Sequence, residues 1–151
     1  MSTTPTSEMG FPDECMEEIR NLFVSSIHDT AEEDLPEGTR QILLVAGHSM
    51  ITSNFLLNTS SGKTDSQAVI LLWGNPSPSS DPNLKRIYIT FIEDNAKVRR
   101  PDFNKAGGTI RLWMHCKNMP MVLAQLHEPN VYGWIGHFGQ GQIYADIHTS
   151  H

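Results

Sequence analysis

The side chains best suited to chemistry lie close to the end of the 151-residue chain, within residues 131–148. Asp146 and His148 are two positions apart, so on a β-strand both side chains project from the same face. His137 and Tyr144 lie on either side of a glycine-rich turn and can join them. A carboxylate beside an imidazole is the minimum for general acid–base catalysis. Because no nucleophile or oxyanion site accompanies them, we assign no catalytic residue and predict a polar ligand-binding face.

The same segment predicts a β-hairpin. Two runs rich in aromatic and β-branched residues flank Gly139-Gln140-Gly141, a sequence typical of a turn between strands. We prefer the register that separates apolar from titratable side chains, because a slip of one residue would mix the two faces. That register pairs Phe138 with Ile143, Gly136 with Ala145, and Trp134 with Ile147. The apolar face is then expected to be buried, and the face with the four titratable residues to be accessible.

A second alternating strand, Thr109–Cys116, carries further polar and aromatic side chains. Apolar residues occupy every second position, and the positions between them hold Arg111, Trp113 and His115. Trp and Arg are enriched in binding surfaces. If this strand adjoins the hairpin, the two sets form one concave surface for a small polar ligand or a protein partner; the sequence leaves the strand order open. The predicted ligand-binding residues are Arg111, Trp113, His115, His137, Tyr144, Asp146 and His148.

A basic loop at residues 97–105 (KVRRPDFNK) is a candidate anion-binding site. Its four cations are Lys97, Arg99, Arg100 and Lys105. Cations grip phosphate and an aromatic ring can stack on a base, so single-stranded nucleic acid is a further candidate ligand, through Arg99, Arg100 and Phe103. The net charge of −6 argues against nucleic-acid binding.

Neither a metal site nor a nucleotide-binding loop is predicted. Zinc ligands usually come in close pairs such as C-x₂-C or H-x₃-H, and neither spacing occurs here. Gly62-Lys63-Thr64 matches the end of a P-loop, but Leu57 stands where that motif requires a glycine. We expect no cofactor, and we expect Cys15 and Cys116 to be free thiols.

The charge is unevenly distributed along the chain. Residues 1–37 hold ten acidic residues against Arg20 alone, whereas residues 38–151 hold seven acidic and ten basic residues. The acidic arm is either a solvated helix face with a polar linker or a segment that docks on a basic patch of this chain or of a neighbouring subunit.

Runs of apolar and β-branched residues predict strands after residue 40. The expected strands are at 41–46, 50–58, 67–73, 86–92 and 109–116, followed by the two strands of the hairpin. A turn at Gly47-His48-Ser49 is expected to separate the first two. Almost every connection is too short to contain a helix, which favours antiparallel pairing.

Two helices complete an α+β fold. An amphipathic helix is predicted from Phe11 to about His28, and a short helix at residues 119–126 with Asn118 as its cap. We expect a disordered tail at residues 1–10 and a single domain at 11–151. The predicted fold is a curved antiparallel sheet or open β-barrel of about six to seven strands, with the N-terminal helix on its inner face.

Three functions follow, in order of preference. The first is a non-catalytic, adaptor-type binding protein that forms a homo-oligomer, because exposed aromatic residues on strand faces need covering. The second is an enzyme acting on a small polar or phosphorylated metabolite, with His137, Asp146 or His148 as acid or base. The third is nucleic-acid binding by loop 97–105. The chain has no predicted membrane span and no secretory signal, so we expect a cytoplasmic protein that does not act at a membrane.

Overall fold

The computed structural model describes Cys15, residues 35–52 and residues 66–149, with only the backbone at residues 66 and 67. The predicted tail, the predicted strand beyond residue 52 and the predicted N-terminal helix lie outside the described residues. Cys15 is the exception: its backbone is helical and its side chain is fully buried.

The described chain is dominated by one seven-stranded sheet that curves nearly into a barrel. Its strands are β1 (Arg40–Thr52), β2 (Ser66–Pro76), β3 (Arg86–Ile92), β4 (Asp102–Asn104), β5 (Thr109–His115), β6 (Val131–His137) and β7 (Ile143–Thr149). A 3-10 turn, Cys116–Asn118, leads into the helix α1, Met119–Leu126. The strand order is β4-β5-β3-β2-β1-β6-β7.

The sheet is mixed, whereas purely antiparallel pairing was predicted. Neighbouring strands are antiparallel except for β3 and β5, which are parallel. A parallel pair needs a connection of roughly a dozen residues or more. Residues 93–108 exceed that length, and they also supply β4, which pairs with the far side of β5.

β1 is one long strand, so the predicted turn at residues 47–49 is wrong. The pairing with β2 shifts by one residue between Val45 and Gly47, which is a β-bulge. The Trp73 ring occupies the space that a Cβ at Gly47 would take. Gly47 therefore marks a close approach between strands and not a chain reversal.

The main core lies between the inner face of the sheet and α1. Its largest fully buried members include Leu43, Ile70, Leu72, Ile87, Ile89, Phe91, Phe103 and Ile110. Val122 and Leu126, one helical turn apart, bring α1 onto this face. The short helix and the alternation of β5 are thus confirmed; Asn118 occupies the N-cap position, but its side chain makes no capping hydrogen bond.

A second, smaller core lies on the outer face of the central strands. It contains Val69, Leu71, Tyr88, Ile92, Trp113 and Cys15. The Cys15 thiol accepts a hydrogen bond of 3.0 Å from the Arg86 guanidinium. The predicted N-terminal helix was expected on the inner face, but its one described residue lies on the outer face. Burial on both sides explains why β2 is a continuous apolar run.

The hairpin exists as predicted, but its register is one residue away from the preferred one. His137 pairs with Ile143, Gly136 with Tyr144, and Trp134 with Asp146. The intervening loop contains three successive residues with positive φ: Gly139 at 101°, Gln140 at 53° and Gly141 at 73°. The Phe138 N–H donates to the Gln142 carbonyl at 2.9 Å and closes a five-residue loop. Loop geometry, and not separation by polarity, sets the pairing.

Gly133→Ala should lower the free energy of unfolding by about 1–3 kcal/mol, because a Cβ there would overlap Cδ1 of Ile87 in the core. Urea denaturation measures the change. Ile87→Val removes the overlapping methyl group, so the double variant should lose less stability than the two single variants added together. If the stability losses of the two single variants simply add in the double variant, the contact with Ile87 is not what excludes a side chain at residue 133.

Candidate functional site

The accessible outer face of β1, β6 and β7 forms an open groove. Antiparallel pairing aligns the outward side chains of the three strands in rows, and the middle row is Ile42, Trp134 and Asp146. The groove, of about 400 Å³, is lined by Arg40, Ile42, Trp134, Phe138, Tyr144, Asp146 and His148. We call these seven residues the outer groove.

Trp134 forms the floor of the outer groove. Its ring packs against Phe138 and Tyr144, with ring centroids 5.7 Å apart in each case. The same ring lies over Gly136, where any Cβ would overlap it. Phe138 is 64% and Tyr144 is 52% exposed, so the two flanking rings offer apolar surface to solvent. Mutual packing holds these rings in place before any ligand arrives.

Asp146 is the centre of the polar part of the outer groove. Its Oδ1 lies 2.8 Å from Nδ1 of His148, and the His148 ring stacks on Tyr132 with centroids 5.5 Å apart. The charge of Asp146, followed by burial and a hydrogen bond to the same carboxylate, raises the pKa of Tyr144. Tyr144 therefore stays protonated and can donate a hydrogen bond over the physiological pH range.

Arg40 lies on the opposite side of the groove from Asp146. It is exposed and has no ion-pair partner among the residues that the structure describes. The outer groove thus combines an aromatic floor with a cation on one side and a carboxylate on the other.

The seven predicted ligand-binding residues do not form one surface. Tyr144, Asp146 and His148 come together in the outer groove. His137 projects from the inner face, where its Nδ1 lies 2.8 Å from the carbonyl oxygen of Leu35. The other three, Arg111, Trp113 and His115, are on β5, which three strands separate from β6.

The β5 residues have partners within the protein. Arg111 donates two hydrogen bonds of 2.8 and 2.7 Å to the buried carboxylate of Asp102. Trp113 is buried, with the Arg99 guanidinium 4.3 Å from its ring centroid. Nε2 of His115 lies 2.7 Å from the carbonyl oxygen of Ala96. These contacts stabilise the fold around β4 and β5.

The basic loop is more structured than its sequence indicated. Phe103 is on β4 and only 2% exposed, so the prediction that a nucleic-acid base stacks on this ring is wrong. Arg99 covers Trp113, and Lys105 lies 3.9 Å from Asp81. Arg100 also has a partner, whereas Lys97 is exposed. Anion binding by Lys97, Arg99, Arg100 and Lys105 stays a prediction.

Four residues of the outer groove were not predicted from the sequence: Arg40, Ile42, Trp134 and Phe138. Trp134 and Phe138 were assigned to the core because apolar side chains were grouped together. The available signal was Gly136, which lies two residues from each on the same strand face. A glycine between two aromatic residues leaves room for a ring to lie flat on the strand.

Within the described residues, no three His, Cys, Asp or Glu side chains are grouped closely enough to hold a metal ion. Both described cysteines are free thiols. None of the described helices has the length and apolar content needed to cross a bilayer. Comparison of the chain with protein-family models, curated proteins and solved structures finds no match.

Asp146→Asn should lower the pKa of Tyr144 by removing the charge that raises it. A pH titration of the Tyr144 ring resonances measures this. The folded protein should also lose stability as the pH rises through the tyrosine range, because the unfolded chain ionises first, and the variant should reduce that loss. Glu128→Gln, outside the groove, is the control; an equal response in both variants would contradict the assignment.

Arg111→Ala should destabilise the protein by about 3–5 kcal/mol, since it leaves the buried Asp102 carboxylate unpaired. Chemical denaturation measures the loss. The double variant Asp102→Ala/Arg111→Ala removes the unpaired charge and should be more stable than Arg111→Ala alone. If it is less stable, charge burial is not the dominant cost.

Proposed function

We propose that this protein is a non-catalytic, adaptor-type domain that binds an extended segment of a partner protein in the outer groove. The observation that carries the proposal is the cluster of accessible aromatic rings around Trp134, for which Gly136 leaves room. Aromatic residues dominate binding hot spots because they bury a large area with few rotatable bonds.

Burial of the two flanking rings would supply part of the binding free energy, with polar contacts supplying the rest. Fully burying a large apolar side chain contributes about 1.5–3 kcal/mol, and Phe138 and Tyr144 are each more than half exposed. Covering these two rings would therefore contribute roughly 2–3 kcal/mol before polar contacts. The rings are already packed on Trp134, so less side-chain entropy is lost on binding.

An enzymatic role has less support. Asp146 orients His148, but the His148 side chain is 46% exposed. Electrostatic catalysis depends on excluding water from the reacting groups, and the groove is open. His137, the third residue of the predicted acid–base set, projects from the other face of the sheet. The homo-oligomer predicted from the sequence stays a prediction.

A random peptide library displayed on phage tests this function. Selection on the wild-type protein should enrich sequences that bind with dissociation constants in the micromolar range. Trp134→Ala should weaken the selected peptides at least tenfold, because the floor of the groove is removed. Circular dichroism confirms folding, and Tyr144→Ala, on the neighbouring strand, should act in the same direction.

Trp73→Ala is the matched control. Trp73 is 40% exposed on the same face of the sheet, but it covers Gly47 on β1 and does not line the groove. Selected peptides should bind this variant as they bind the wild type. No enrichment, or equal losses in Trp134→Ala and Trp73→Ala, would refute the proposed function.

A further inference from the structure

Among the strands that the structure describes, β7 lies at one edge of the sheet and pairs with β6 on one side only. The His137 carbonyl accepts a hydrogen bond of 2.8 Å from Gly38 N–H, and His137 N–H donates to the Thr39 carbonyl at 3.0 Å. The N–H and C=O groups of His137 therefore point toward the β1 side and away from its partner Ile143. In an antiparallel pair such positions alternate, so the N–H and C=O groups of Ile143 and Ala145 point off the sheet.

Only one backbone group on this edge has a partner within the described chain. Nε2 of Gln125 on α1 donates to the Ile147 carbonyl at 3.1 Å. The outward groups of Ile143 and Ala145 have no hydrogen-bond partner among the described residues. The open part of the edge is therefore Ile143–Ala145, directly beside the outer groove.

Three features that often protect an exposed edge are absent from β7. Exposed edges are normally shortened, bulged, or supplied with Pro or Lys. β7 spans seven residues, contains neither Pro nor Lys and pairs with β6 without a register shift. At the opposite end of the sheet, β4 has only three residues.

We propose that β7 accepts an added strand from the partner, and that this strand carries Lys or Arg opposite Asp146 and an apolar residue opposite Tyr144. This inference rests on the proposed function and identifies the class of ligand. Directly opposed residues of paired strands have Cβ atoms about 4.5–5.5 Å apart. Alternate side chains of the added strand would therefore lie on the same face as Tyr144 and Asp146, beside the outer groove.

Charge favours a basic partner. Asp146 would lie on the strand next to the added chain, whereas Arg40 is on β1, two strands further away. A second copy of this chain fits less well. Antiparallel self-pairing centred on Ala145 places Tyr144, and not a cation, opposite Asp146.

The test uses the full chain and two heptapeptides. In both peptides every second residue is β-branched, which favours the extended conformation. They differ only in Lys or Glu at the position that aligns with Asp146, with an apolar residue two positions away. Fluorescence polarisation should show at least tenfold tighter binding of the Lys peptide, and Asp146→Lys should reverse that preference. Equal affinities for the two peptides would overturn the basic class, and failure of both to bind would overturn strand addition.

Ala145→Pro separates strand addition from groove binding. Proline removes an N–H that points off the sheet, so the fold is retained while the added strand loses a hydrogen bond. Ala145→Val, which keeps that N–H, should bind the Lys peptide at least tenfold more tightly than Ala145→Pro. N-methylation of the peptide at the position paired with Ala145 should cause the same loss without any change in the protein.

Amide hydrogen exchange gives a direct readout. In the free protein, the amides of Ile143 and Ala145 should exchange faster than those of Tyr144 and Asp146, and the Lys peptide should slow the first two. Loss of binding in Trp134→Ala with none in Ala145→Pro would retain the proposed function and overturn strand addition. If the wild-type protein is a dimer and Ala145→Pro converts it to a monomer, the strand that pairs with β7 comes from a second copy of this chain. That result would overturn the proposal that it comes from a basic partner segment.

Discussion

The register of the β6–β7 hairpin determines which side chains this protein presents to solvent. Three successive left-handed residues, Gly139 to Gly141, close a five-residue loop, and that loop pairs His137 with Ile143. Because side chains alternate along a strand, a shift of one residue would exchange the faces of one strand relative to the other. The aromatic and polar residues of the outer groove share a face only in the observed register.

Two glycines let β6 serve both faces of the sheet. On the inner side, Gly133 leaves room for Ile87 to reach into the core. On the outer side, Gly136 leaves room for Trp134 to lie flat. The same strand therefore permits close packing below and an aromatic platform above. Each glycine weakens the strand locally, and pairing with both β1 and β7 offsets that cost.

Local periodicity predicted part of this structure well. The alternation of β5, the helix α1 and the existence of the hairpin all depend on contacts or spacings within a few residues. The strand order was beyond reach because β1 pairs with β6 across about ninety intervening residues. The sequence left open whether β5 adjoins the hairpin for the same reason, and the structure shows that these strands are not neighbours.

Other incorrect predictions were based on the residue type alone, without the neighbours that the residue has in the fold. Gly47 was interpreted as part of a turn, although it makes room for the Trp73 ring within a strand. Phe103 was grouped with its basic neighbours, although pairing with Ile110 directs it into the core. Trp134 was assigned to the core, although Gly136 allows it to lie on the surface. In each case, the deciding partner is distant in the sequence or small enough to be overlooked.

Among the described strands, β2, β3 and β5 have buried residues on both faces of the sheet. β2 and β3 carry apolar contacts on both sides, whereas β1, β6 and β7 leave their outer residues around the groove accessible. Substitutions in the groove consequently fall outside the main determinants of folding. Residues of the groove can therefore change, in evolution or by design, and alter the ligand preference while the fold is retained.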